Sequence, residues 1–168
     1  IVKRAQTQKK LELNFVNLRN FGLGKYKQVD DRPYGGGVGM VMRVDIIDKA
    51  LQFIRHSELD SESVSGRIPK QVRDDVLKER IVLLDPKGKT YNQALARKYA
   101  KLDHLILICG HYEGIDARVN QLVDESISIG DYILTGGEIP AMVIIDSVAR
   151  LLPGVLSKKE ATKIESFS

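Results

Sequence analysis

Leu105-Ile106-Leu107-Ile108-Cys109 runs directly into Gly110-His111-Tyr112-Glu113-Gly114-Ile115-Asp116. An unbroken apolar run with no polar alternation is the pattern of a short strand buried on both faces, as in a parallel sheet covered by helices. A second stretch of the same kind follows, Ser128-Ile129-Gly130-Asp131-Tyr132-Ile133-Leu134-Thr135-Gly136-Gly137-Glu138-Ile139-Pro140. In open α/β sheets, ligands sit just beyond the carboxyl ends of the strands, where loop backbone approaches the bound molecule. Two glycine-punctuated loops placed after strands therefore suggest a cradle for a small polar cofactor. Neither loop reads GxGxxG or GxxxxGK[ST], so neither common nucleotide motif is present.

Outward from these loops, the chain reads as alternating strands and helices, which argues for α/β architecture with a largely parallel sheet. Residues 2–10 form a basic, helix-type segment, and residues 11–15 alternate apolar and polar as a half-buried strand would. Residues 20–39 read as loop. Ile47, Ala50, Leu51 and Ile54 recur at helical spacing, which predicts an amphipathic helix over residues 45–54. Residues 57–75 are polar and rich in Ser and charge, and read as a mobile surface loop. A short buried strand is expected at 81–84, ended by Asp85-Pro86-Lys87-Gly88. Thr90 and Gln93 have capping-box spacing before a helix over 92–101. Residues 126–129 read as a further strand. Pro140 suits the first turn of a helix through Leu152, closed by Pro153-Gly154.

The chain has 168 residues, of which 43% are hydrophobic and 29% charged, enough for one α/β domain with a sizeable core. A net charge of +4 favours an acidic partner such as RNA, although many basic domains bind none. The single cysteine, Cys109, excludes a disulfide framework, which fits a reducing cytoplasm. His56, His104 and His111 share no ligand spacing with it, so no metal site is assigned. No apolar stretch approaches the length of a membrane span. The chain opens on Ile1 and closes on a polar segment, residues 157–168, that reads as an interdomain linker after a domain over 1–156.

Individual residues leave alternatives open. Asp30-Asp31-Arg32-Pro33-Tyr34-Gly35-Gly36-Gly37-Val38-Gly39-Met40 removes side chains from a loop so that another chain or ligand can approach, or is a flexible spacer. Glu113 either meets a cationic ligand or faces solvent. Asp131 and Tyr132 either contact a ligand or belong to a turn. Arg150 reads first as a favourable charge at a helix end, and Glu165 as a solvated charge in a tail.

The combination is more specific than its parts. Residues 30–40, 83–88, 106–118, 128–142 and 146–156, in this order, closely resemble the bacterial tRNA (guanine-N1)-methyltransferases, the TrmD family. The resemblance implies a SPOUT-class fold with a deep trefoil knot at the cofactor site, one of the rare exceptions to unknotted chains. It implies a homodimer whose active site forms between subunits, and methyl transfer from S-adenosyl-L-methionine to N1 of the guanine 3′ of the tRNA anticodon. The family begins with a further strand and ends with a small helical tRNA-binding domain, neither of which matches a segment here. By resemblance, Leu84, Pro86, Gly110, Tyr112, Ser128, Ile129, Gly130, Asp131, Tyr132, Ile133 and Leu134 line the cofactor site, with Gly136, Gly137 and Pro140 closing the knot. Glu113 is the carboxylate matching the cofactor's positive charge. Glu165 stands where the family has an Asp that acts as base, and Arg150 holds the charge that develops on guanine O6. Tyr26 stands where many relatives carry His. Two other readings are a SPOUT enzyme acting on ribose 2′-OH or ribosomal RNA, and a non-catalytic RNA-binding module.

Overall fold

A computed structural model describes residues 1–33, 36, 38–61, 78–111, 114–157 and 166–167. The helices are α1 (Val2–Thr7), α2 (Val44–Ser61), α3 (Gln93–Tyr99) and α4 (Glu138–Ala149). The strands are β1 (Asp30–Asp31), β2 (Val41–Met42), β3 (Glu79–Thr90), β4 (His104–Cys109) and β5 (Glu125–Ser128). β3, β4 and β5 make a parallel sheet in the order β4-β3-β5, while β1 and β2 pair as a separate antiparallel ribbon.

The sheet is covered on both faces, which is why its strands read as continuous apolar runs. Val82, Leu84 and Ile127 point to one face, where they pack with Leu95 and Tyr99 of α3 and with Ala141, Ile144 and Val148 of α4. Ile81, Leu83, Ile106 and Ile108 point to the other, against Ile47 and Leu51 of α2 and against Val119. Ile81, Ile127 and Ile144 are almost wholly buried, and each such side chain contributes about 1.5–3 kcal/mol relative to exposure. Tyr91 ties the end of β3 to α4: Ser147 Oγ donates to the Ile144 carbonyl (2.9 Å), so the Tyr91 hydroxyl donates to Ser147 Oγ (2.6 Å). Burial raises the Tyr91 pKa above its ordinary value and keeps that proton in place. Among the described residues no helix is long and apolar enough to cross a membrane.

Several expectations are corrected. Residues 11–15 form no strand: Leu11 and Leu13 are half-buried while Glu12, Asn14 and Phe15 are exposed, so the alternation is present without a paired ladder. Leu11 packs instead in a corner with Ala5, Ala149 and Val155. The stretch 20–39 is not all loop, because residues 18–21 form a 3-10 turn and Asp30–Asp31 pairs with Val41–Met42. α2 runs on through Ser61, seven residues beyond the apolar repeat, so residues 57–61, expected as loop, are helical; residues 62–77 lie outside the described residues. The helix expected over 92–101 spans 93–99, and its cap is Asn92, whose side chain accepts the Leu95 N–H at 3.0 Å, rather than Thr90. α4 ends at Ala149, with Arg150 as its C-terminal cap, short of the expected Leu152.

β3 departs most. It does not stop at Leu84 but continues to Thr90, because β5 pairs with it twice. Ile127 faces Leu84 and then Lys89, so residues 85–88 bulge out of the ladder. Pro86 has no N–H to lose and sits where none is required. At Gly88 a Cβ would lie 2.5 Å from the Ile127 nitrogen, so the close return of β5 requires glycine.

Candidate active site

The carboxyl ends of β3, β4 and β5 bring the two decisive glycine loops together. The Gly137 N–H donates to the Gly110 carbonyl at 2.8 Å, and His111 and Gly136 form an antiparallel bridge. A Cβ on Gly137 would stand 2.6 Å from Cys109 Cα and 2.9 Å from the Gly110 nitrogen. The head of α4 is therefore pressed against the end of β4 so closely that only glycine fits. Gly110 is roomier, since its added Cβ would meet only the tip of Ile115 at 3.3 Å, with the Leu84 carbonyl at 3.8 Å.

The loop that ends at Gly137 begins directly after β5. Ser128 is buried, and its hydroxyl donates to the Gly130 carbonyl (2.9 Å) while accepting the Gly130 N–H (3.2 Å). The Ser128 carbonyl accepts the Tyr91 N–H at 2.7 Å. Gly130 has φ +156° beneath the Tyr132 ring, which would collide with any Cβ there. Beyond it, Tyr132 is 53% and Ile133 80% exposed. Among the described residues, the N–H groups of Asp131, Ile133 and Leu134 enter no backbone–backbone bond. The loop thus offers apolar side chains together with uncommitted backbone donors, the chemistry that an adenine ring and its polar edge require. The residues present fit an adenosyl cofactor.

The ribbon β1–β2, whose strands flank the other glycine-rich segment, docks beside the loop after β4. The Met42 N–H donates to the Gly114 carbonyl (3.0 Å), the Asp116 N–H donates to the Met42 carbonyl (3.1 Å), and the His111 N–H lies 3.1 Å from Met42 Sδ. Arg43 fixes the base of the ribbon through Asp45 (3.0 Å) and Asp31 (2.8 Å). Its hydrogen bonds hold the Asp45 carboxyl below the usual range, and they raise its own pKa in return. Beside the cradle, His111 Nε2 and Glu138 Oε1 are 2.9 Å apart. Burial, reinforced by the Glu138 charge, pushes the Cys109 thiol up to about 11, so it is a neutral packing group at physiological pH.

Of the residues expected at the site, Gly110, Ser128, Ile129, Gly130, Asp131, Tyr132, Ile133, Leu134, Gly136 and Gly137 lie on these strand ends and loops, Pro140 in the first turn of α4, Leu84 within β3 just before its bulge, and Pro86 in the bulge. Tyr112, Glu113 and Glu165 lie outside the described residues. Arg150 is not brought to the cradle of its own chain: it caps the far end of α4, about 20 Å of helix from Gly137. The contribution of Met42, Asp116 and the His111–Glu138 pair was missed in the sequence. No local spacing joins His111 to Glu138, 27 positions apart, or Met42 to His111, 69 apart.

The model of the tRNA (guanine-1)-methyltransferase family, TrmD, matches residues 1–168. The tRNA (guanine-N(1)-)-methyltransferase of Carboxydothermus hydrogenoformans is 50% identical over 100% of this chain and 59% of its own length. That of Moorella thermoacetica is 47% identical over 100% of this chain and 61% of its own. The crystal structure of the tRNA (m1G37) methyltransferase from Aquifex aeolicus superposes with a TM-score of 0.73 at 38% identity, over 93% of this chain and 62% of that one. The chain thus spans about three fifths of the length of these relatives. With the match running from end to end and the same architecture underneath it, the chain belongs to the tRNA (guanine-1)-methyltransferase family.

Proposed function

We propose that this chain is the catalytic part of an enzyme that methylates N1 of the guanine 3′ of the tRNA anticodon, position 37, with S-adenosyl-L-methionine as donor. The observation that carries the reading is the meeting of the two glycine-bearing loops that follow the parallel strands β4 and β5, in a chain whose whole length matches the family. When bound, the cofactor supplies an electrophilic methyl group. Leu84, Ile129, Tyr132, Ile133 and Leu134 give the adenine its apolar surroundings, and the backbone around Gly110 and 130–134 meets its polar edge. Glu113, with Tyr112 beside it, offsets the cofactor's positive charge.

Guanine N1 carries a proton at neutral pH, so its lone pair is not available until a base removes that proton. Glu165 takes it, a contribution of about 10²–10⁴-fold for a well-placed base. The negative charge then delocalises to O6, where Arg150 stabilises it. Arg150 reaches a guanine in the cradle only if it comes from a second copy of the chain, because about 20 Å of α4 separates it from Gly137 of its own. This separation supports a homodimer with the site between subunits. The bulge at 85–88, around which β5 closes the ladder on both sides, supports a knot through which the 128–140 segment is threaded. Residues 1–156 form the methyltransferase domain in this reading, and 157–168 lead out of it. Its place of work is the cytoplasm, where tRNA is available.

The test uses the full-length protein, S-adenosyl-L-methionine and a tRNA transcript with guanine at position 37. Methyl incorporation, with a reverse-transcription stop at that base and none when it is replaced by adenine, is the expected result. Methyl on a ribose 2′-oxygen, or RNA binding without transfer, would overturn the reading in favour of another SPOUT activity or a binding module.

A further inference from the structure

His111 is a junction of three segments. Its N–H meets Met42 Sδ at 3.1 Å, its backbone bridges to Gly136, and its Nε2 lies 2.9 Å from Glu138 Oε1. A carboxylate only accepts, so Nε2 carries the proton and donates. The pair closes over Gly136: a Cβ there would lie 2.7 Å from His111 Nε2 and would collide with Glu138 Oε2. The two side chains are 48% and 58% exposed, and an ion pair so open to water adds little to folding. Its location is more telling than its strength, because it joins the loop after β4 to the first turn of α4 at the rim of the cradle.

We propose that His111 and Glu138 are positioning residues, a clasp that holds these two loops at the spacing the adenosyl cofactor needs. The inference rests on the reading of this cradle as the S-adenosyl-L-methionine site. Without the clasp, the Gly137–Gly110 backbone bond and the bridge of His111 to Gly136 remain, but the side-chain tie between the loop after β4 and the first turn of α4 is lost, and the two sample wider separations. Cofactor binding must then restore the spacing, and affinity falls by the cost of doing so.

The experiment titrates S-adenosyl-L-methionine into the full-length protein by calorimetry, beside thermal melts without cofactor. His111→Ala and Glu138→Ala are each expected to weaken binding about fivefold while leaving the melting temperature close to the parent's. The double variant should be no weaker than the worse single one, since both remove the same contact. Glu138→Gln, whose carbonyl still accepts from Nε2, should bind within about twofold of the parent. Variants that bind like the parent, losses that add in the double variant, or losses that track a lowered melting temperature would each overturn the clasp. A parent protein without affinity for the cofactor would instead overturn the reading of the cradle, and the clasp with it.

Discussion

Asp116 acts through three sets of atoms. Its N–H holds Met42, its Oδ1 accepts the Arg118 N–H at 3.0 Å to cap the turn Ala117–Gln121, and its carboxylate pairs with the Arg118 guanidinium. The hydrogen bonds from Arg118 hold its carboxyl below the usual aspartate range. A depressed folded-state pKa contributes stability that is complete above the ordinary value of 3.8 and is lost as pH falls through the folded value. Asp116→Ala is therefore expected to lower unfolding free energy by about 1 kcal/mol at pH 7, with the difference shrinking below pH 3.8, as denaturant titrations would show. Gly137 and Gly110 differ in a way that the shared letter conceals. Gly137→Ala forces a methyl group onto Cys109 backbone and should cost about 1–3 kcal/mol, whereas Gly110→Ala meets only a movable Ile115 tip and should fold normally. Equal melting temperatures for the two variants would contradict the packing described here. Cys109 should resist alkylation until the pH nears 11, the reverse of a reactive cysteine.

At the scale of elements, the legible parts were those whose pattern is local. β4 and the helical repeat of Ile47, Ala50, Leu51 and Ile54 were readable because burial on a sheet or along a helix face imposes its own period. The end of β3 was not, because continuation past Pro86 depends on β5 returning to pair again, which the residues of β3 do not encode. The same reason hides the docking of Met42 on Gly114 and the pairing of His111 with Glu138. Residues 11–15 failed in the opposite sense: they have the strand period but no paired ladder among the described residues. α4 is apolar on two sides. Ala141, Ile144 and Val148 enter the core, while Ile139, Met142 and Val143 are exposed at helical spacing. An exposed apolar stripe of this kind marks an interaction face, and in the proposed homodimer a second copy covers it. Met142→Glu should shift the sedimenting species from dimer to monomer and remove methyl transfer. A dimer that persists in this variant would exclude α4 from the interface.

For the whole molecule, the decisive question is whether one chain can complete the site. α4 sets the cradle at Gly137 and Arg150 at opposite ends of one rigid rod, and a rod of that length cannot fold back on itself. Val155 and Ser157 beyond it are held by Arg4, at 3.2 and 2.9 Å, which fixes the corner where Arg150 emerges. Two inactive variants should therefore rescue each other. Gly110→Val fills the cradle but keeps Arg150, and Arg150→Ala keeps the cradle but loses the charge. In a mixed dimer with two-fold symmetry, one site pairs both defects and the other pairs the intact cradle of one chain with the intact Arg150 of its partner. If subunits exchange at random, half of the dimers are mixed, so about one quarter of all sites should work. The full-length variants would be mixed, denatured and refolded together, then assayed for methyl transfer to tRNA against each variant refolded alone. Recovery near one quarter of the parent rate places Arg150 in the partner's site. No recovery, with mixed dimers demonstrated by differently tagged chains, means that each chain completes its own site and that α4 does not hold Arg150 away from it.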